Sequence, residues 1–249
     1  MNHSPNNKLI VALDVETAGE AREIFKALKD VAGMFKIGSQ LFTSAGPGIV
    51  REIVAAGGRI FLDLKFHDIP NTVVAAGVEA ARLGVSIFNV HALGGVEMMR
   101  RTVEAVAETA EREGNERPSV IAVTVLTSAD AATLAEVGIE RGTEEQASSL
   151  ARLAAQCGMD GVVASPHEVA LIRDAVRSHG FLIVTPGVRP SGSAPDDQKR
   201  IMSPAQAVRA GADYLVVGRP VIKAPDPARA ARQIIAEMEE AVPPLSIGS

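Results

Sequence analysis

The chain holds a single cysteine, Cys157, in 249 residues, so neither an intrachain disulfide nor a thiolate metal cluster can form. Aromatic side chains are nearly as scarce. Seven Phe, one Tyr and no Trp leave little material for the stacking platforms that bind single-stranded nucleic acids. Basic charge is not in excess either: 25 Lys and Arg stand against 30 Asp and Glu, a net charge of −5. That balance argues against a broad phosphate-neutralising surface and so against a nucleic-acid polymer as partner. No run approaches the roughly 20 apolar residues of a membrane span. The leading MNHSPNNK is polar and carries no apolar signal core, so the expected setting is cytoplasmic, with no membrane partner. No G-x-G-x-x-G turn follows the first apolar run, no H-x-x-x-H pair suggests zinc, and no G-x-S-x-G elbow suggests a serine hydrolase.

What is present is an apolar, regularly punctuated chain. Apolar residues make up 47% and charged residues 22%, enough to bury a large core in a soluble domain. Short, β-branched, nearly continuous apolar runs recur at 9–15, 34–39, 59–65, 85–92, 119–126, 161–165, 181–187 and 214–220. Runs of this kind suit parallel strands covered on both faces. Between them lie Ala-, Glu- and Arg-rich stretches of helical composition, such as 95–113 and 226–242. Eight strand–helix units in this length predict a single (β/α)8 barrel domain over 1–249, with its core at about 8–242 and short polar tails. A doubly wound open sheet is the weaker alternative. Cys157, in AAQCGMDG, reads as a buried apolar thiol where a helix ends before a strand. Two polar, Gly- and Pro-containing segments, 127–145 and 186–200, follow the fifth and seventh strands. Segments of this length at strand C-termini are where barrel enzymes build lids and sites, and the first is expected to contain a short helix.

The strands carry charges that a barrel interior ordinarily excludes. The third run reads R-I-F-L-D-L-K-F-H-D, placing Asp63 and Lys65 on one face, with Asp68 three residues on. Lys36 lies in the second run, and Asp14 ends the first. Single charges at strand ends are commonly solvated. Four of alternating sign on three neighbouring strands form a self-neutralising set, in which each carboxylate keeps an ammonium neighbour and both signs stay ionised. Such a set can place negative charge beside a substrate group and a proton donor next to it. His67 and His91 are possible general bases but more often structural residues. Asp14, Asp63 and Asp68 could ligate magnesium, yet Lys36 and Lys65 occupy the same charge space, so no metal is expected.

Cations and backbone donors gather at the last two strands. T-P-G-V-R ends the seventh with Arg189, the following loop carries Gln198, and V-V-G-R ends the eighth with Gly218 and Arg219. In barrels the loops after strands seven and eight often cradle phosphate. A glycine admits close backbone approach to an anion, and an arginine binds phosphate oxygens bidentately. The expected ligand is a small phosphorylated molecule.

These residues resemble the orotidine 5′-phosphate decarboxylase family. F-L-D-L-K-F-H-D-I-P-N-T at 61–72 contains its D-x-K-x-x-D signature followed by I-P-x-T. L-D at 13–14, F-K-I-G at 35–38, V-T-V-L-T-S at 123–128, P-G-V-R at 186–189, D-D-Q at 196–198 and V-G-R-P at 217–220 occur in order. The D-x-K-x-x-D run is shared with related sugar-phosphate barrels, whereas the ordered set is highly specific. The resemblance implies conversion of orotidine 5′-monophosphate to uridine 5′-monophosphate (UMP) and CO2, the last step of de novo pyrimidine synthesis, with no metal or organic cofactor. It also implies that Lys65 protonates the carbanion-like C6, that Asp63 sits by the departing carboxylate, and that Lys36 and Asp14 hold the ribose hydroxyls. Thr127 and Ser128 would lie at the ribose and pyrimidine end, and Arg189, Gln198, Gly218 and Arg219 would grip the phosphate. A homodimer is implied too, Asp68 and Thr72 each serving the partner's site. Two readings compete. One is a magnesium-dependent sugar-phosphate decarboxylase or aldolase of related fold, in which an acidic residue typically stands where this chain has Lys36. The other is a catalytically silent nucleotide-binding barrel, which would be expected to lack Asp63 or Lys65.

Overall fold

The structure, a computed structural model, describes residues 8–178, 180–190 and 202–241. The chain alternates strand and helix. β1 (Leu9–Ala12) leads to α1 (Ala18–Leu28), and β2 (Met34–Gly38) to the short helices α2 (Ser39–Ala45) and α3 (Gly48–Ala55). β3 (Ile60–Phe66) precedes α4 (Pro70–Arg82), and β4 (Ile87–His91) precedes α5 (Gly95–Glu113). β5 (Ser119–Val123) is followed by α6 (Ala131–Glu136) and α7 (Thr143–Gln156), and β6 (Gly161–Val163) by α8 (Val169–Ala175). β7 (Leu182–Pro186), α9 (Pro204–Ala210), β8 (Tyr214–Val217), α10 (Arg219–Ile222) and α11 (Pro227–Glu239) complete the order. The strands are parallel neighbours in sequence order, and β8 closes on β1 through Ile10 opposite Val216. This is the expected (β/α)8 barrel, with the expected short helix after β5.

Local sequence explains where the helices start. Thr17 caps α1 by accepting from the Glu20 N–H at 3.2 Å, while the Glu20 carboxylate accepts from the Thr17 N–H, a reciprocal capping box. Asp226 caps α11 by accepting from the Arg229 N–H, and proline occupies the first turn of α4, α9 and α11, where its missing N–H costs nothing. Cys157 caps the C-terminal end of α7 and is buried. Among the described residues, no helix is long and apolar enough to cross a membrane.

Side-chain alternation sorts each strand into two cores. Leu9, Val11, Phe35, Ile37, Leu62 and Val90 point outward into the layer beneath the helices. Ile10, Ala12, Met34, Phe61, Ile87, Ile121, Val123, Val163, Val184 and Val216 point inward and fill the barrel as a separate apolar plug. The plug positions a floor: two residues further along the strands, toward their C-terminal ends, stand Asp14 after Ala12, Lys36 after Met34, Asp63 after Phe61 and Asn89 after Ile87. The period of two that fills the interior thus delivers polar groups directly above it. Phe61 is 1% exposed within this floor. Phe61→Ala is expected to cost about 3–5 kcal/mol through lost burial and the cavity left behind, measurable as a lower denaturant midpoint.

Candidate active site

The mouth at the strand C-termini opens into a cavity of about 290 Å³, the size of a small-ligand cleft. Asp14, Lys36, Asp63, Lys65, Thr127, Arg189, Gly218 and Arg219 all line it, with Val123, Val163 and Val188 among its apolar walls. Residues from β1, β2, β3, β7 and β8 and their following turns therefore converge, as the strand-end charges require.

The four alternating charges form one chain. Lys36 Nζ lies 2.9 Å from Asp14 Oδ1 and 3.3 Å from Asp63 Oδ2, and Lys65 Nζ donates to Asp63 Oδ1 at 2.7 Å. Burial falls outward along it: the side chains of Lys36 and Asp63 are 11% and 12% exposed, Lys65 35% and Asp14 52%. Burial is the largest influence on the Asp63 carboxyl and pushes its pKa up. The charges of Lys36 and then Lys65, with hydrogen bonds from Lys65 and Asn89, together outweigh it and hold the group below its usual range. Gly38 makes room for this chain, since a Cβ there would stand 3.0 Å from Lys36 Nζ.

Lys65 reaches Asp63 through an irregular strand. Its φ of 53° is the only positive value at a non-glycine among the described residues. Here β3 slips against β4: Leu62 pairs with Phe88 but Phe66 with Val90, so β3 carries two more residues than its partner between the pairs. The Lys65 N–H, displaced from the regular ladder, donates to Asn89 Oδ1 at 2.8 Å. Asn89 Nδ2 in turn donates to Asp63 Oδ1 at 2.7 Å. The expectation that Asp63 and Lys65 share a face is met, through a bulge rather than plain alternation.

The remaining candidates divide. Thr127 lines the cavity, whereas Ser128 is exposed outside its lining. Asp68 and Thr72 are exposed and border a separate shallow depression beside Lys65, Asp68 accepting from the Ile69 N–H. Gln198 lies outside the described residues, as do 191–200 of the loop expected to cover the site. Gly187, at φ 81°, turns the chain from β7 so that buried Arg189 lines the cavity. The His67 and His91 rings lie tilted by 36° with centroids 5.3 Å apart, and neither lines the cavity. Burial first, then the charges of His67 and Lys65, lower the pKa of His91. Among the described residues, no group of three or more His, Cys, Asp or Glu side chains gathers as a metal site. Instead the Lys36 ammonium lies between the two carboxylates that a divalent ion would bridge. Asn89 and Gly38 have site roles that the sequence reading did not assign. An amide at an inward strand position was the available signal for Asn89.

Barrel, plug and strand-end charge row define a (β/α)8 enzyme whose site handles an anionic small molecule. The chain belongs to the orotidine 5′-phosphate decarboxylase / HUMPS family, whose model matches residues 7–234. It is 58% identical over 231 residues to the orotidine 5′-phosphate decarboxylase of Geobacter sulfurreducens, covering 93% of this chain and 95% of that one. The corresponding protein of Geotalea daltonii is 56% identical over 231 residues, with the same coverage. The crystal structure of orotidine 5′-phosphate decarboxylase from Lactobacillus acidophilus superposes with a TM-score of 0.81 at 36% identity, covering 92% of this chain and 98% of that chain.

The charge chain makes a pH prediction. A carboxylate held below its unfolded pKa of about 4 contributes stability above that value and loses it as pH falls through the folded one. Lys36→Met removes the strongest of the charges that oppose burial, so the Asp63 pKa should rise. The acid limbs of both stability and kcat/KM are then expected to move to higher pH, as read by denaturation and rate profiles.

Proposed function

We propose that this chain decarboxylates orotidine 5′-monophosphate to UMP and CO2, closing de novo pyrimidine synthesis. The observation that carries the reading is the Asp14–Lys36–Asp63–Lys65 chain facing the same cavity as Arg189 and Arg219, in a member of this family. Breaking the bond between C6 and the carboxylate leaves its electron pair on C6, and the Lys65 ammonium both stabilises that pair and supplies the proton. Asp63, kept ionised by its neighbours, lies beside the leaving carboxylate and fixes the Lys65 ammonium. Lys36 and Asp14 hold the ribose hydroxyls, with Thr127 and Ser128 toward the ribose and pyrimidine. Arg189, Gln198, Arg219 and the Gly218 N–H take the phosphate. α10 is one short turn, so backbone donors and arginine charge, rather than a helix dipole, make this grip. Fixed charges already aimed at C6 need no reorganisation as the carbanion develops, and phosphate contacts remote from C6 supply energy for alignment.

The same reading makes the whole chain one catalytic domain working in the cytoplasm as a homodimer, each copy lending Asp68 and Thr72 to its partner. What supports the dimer is that both residues are exposed outside their own cavity, next to Ile69, which is 66% exposed. Exposed Leu93 and Val96 follow the neighbouring strand β4.

The test is the loss of orotidine 5′-monophosphate absorbance with EDTA-treated protein. Turnover to UMP is expected. Failure by folded protein, with magnesium-dependent turnover of a sugar phosphate instead, would move the chain to the magnesium-dependent reading. Lys65→Ala should remain folded and lose turnover. Arg219→Ala, which removes a charge-assisted phosphate contact, should raise KM about 10-fold or more, as measured by initial rates.

A further inference from the structure

We propose that Asn89 is the positioning residue that sets the Asp63–Lys65 pair, acting through one amide on both partners. The inference rests on the assignment of Asp63 and Lys65 to the reacting end of the site. Asn89 is fully buried on β4 and does not line the cavity, so it cannot touch a substrate there. Its two amide atoms do different work. Oδ1 accepts from the Lys65 N–H at 2.8 Å, replacing the ladder acceptor that the β3 slip removes and bracing Lys65 at its left-handed φ of 53°. Nδ2 donates to Asp63 Oδ1 at 2.7 Å, the same oxygen that receives the Lys65 ammonium. The amide therefore couples the backbone that aims Lys65 to the carboxylate that holds its tip.

An amide fits both tasks, with an acceptor for the Lys65 N–H and a donor for Asp63 on separate atoms. A carboxylate could accept from Lys65 but would face Asp63 as a second anion. Leucine fills a similar volume and can do neither. Because the amide of Asn89 bonds Lys65 and Asp63 rather than the residues assigned to the phosphate, its loss should spare binding and harm chemistry. It also helps keep Asp63 ionised, as the hydrogen bond to a buried carboxylate favours the charged form.

The experiment compares the full-length Asn89→Leu, Asn89→Asp and Lys65→Ala proteins with the parent, after circular dichroism and thermal melting establish folding. Asn89→Leu is expected to lower kcat about 100-fold, the size of effect that follows a misaimed group, with KM within about threefold of the parent. Asn89→Asp adds a carboxyl next to Asp63, so the acid limb of kcat should move up by at least about one pH unit. The limb shift reports only the new charge, whereas a merely structural asparagine would leave kcat on the plateau above it unchanged. A folded Asn89→Leu protein with kcat within about threefold of the parent, or with KM rising in step with the loss, overturns the proposal. If Asn89→Leu does not fold, Asn89→Asp decides: a parental plateau kcat overturns the proposal, wherever the limb lies. Undiminished turnover by Lys65→Ala would instead overturn the underlying site assignment. Dead Lys65→Ala beside unimpaired Asn89→Leu would overturn only the role of Asn89.

Discussion

The site depends on keeping one buried carboxylate ionised. Left alone among apolar walls, Asp63 would take up a proton, because the charged form loses its hydration and gains nothing in return. It stays charged because Lys36 and Lys65 bracket its two oxygens at 3.3 and 2.7 Å. The dependence is mutual: Lys36 is as buried as Asp63 and draws on two carboxylates, Asp63 and the more exposed Asp14. Removing Asp63 would leave the buried Lys36 with only the more exposed Asp14 and Lys65 with no carboxylate from this set. The cluster is thus a single electrostatic unit. In the proposed reaction its value is to fix charge where charge develops.

The barrel provides what such a unit needs. Its interior is solid at the level of Phe61, Met34, Ile87 and Val216, so the charges rest on an apolar floor that water does not enter from below. Regular alternation raises polar side chains from that floor, and the final aim of the Lys65 ammonium at Asp63 is set in an irregular stretch. The bulge in β3 performs that last adjustment, at the cost of a left-handed lysine and a displaced N–H. Strain of this kind persists only where neighbours over-determine it. Here the buried amide on the adjacent strand is that neighbour.

The amount legible in the sequence follows from how local each feature is. Strand runs, the helix over 95–113, the short helix after β5 and the closed barrel follow from periodicity and length, both carried by consecutive residues. Asp14, Lys36, Asp63 and Lys65 were legible because charge in an inward strand position is conspicuous. Asn89 was not, since one amide in N-V-H carries no charge and its partners lie 24 and 26 residues away. The left-handed Lys65 was hidden for a related reason: positive φ is announced by glycine or asparagine, and a lysine there is held by tertiary contacts. The clearance at Gly38 is likewise a relation between a strand end and an ammonium two residues back, visible only once the side chain has a direction.

Lys36 also bears on how this barrel would handle the carbanion of the proposed reaction. A divalent ion bridging Asp14 and Asp63 would draw an electron pair from substrate oxygens as a Lewis acid. Lys36 places a tethered monovalent cation there instead, with directional protons and no capacity to accept an electron pair. The site is thereby committed to fixed charges and hydrogen bonds, which suits a reaction whose electrons stay on carbon and await a proton. In the proposed reaction Lys65, less buried than Lys36 and paired with the carboxylate that Lys36 already helps neutralise, is the ammonium that would give that proton. Two lysines on one carboxylate thus separate two tasks. The inner one keeps the carboxylate charged, and the outer one, at the cavity, is left for the proposed proton transfer.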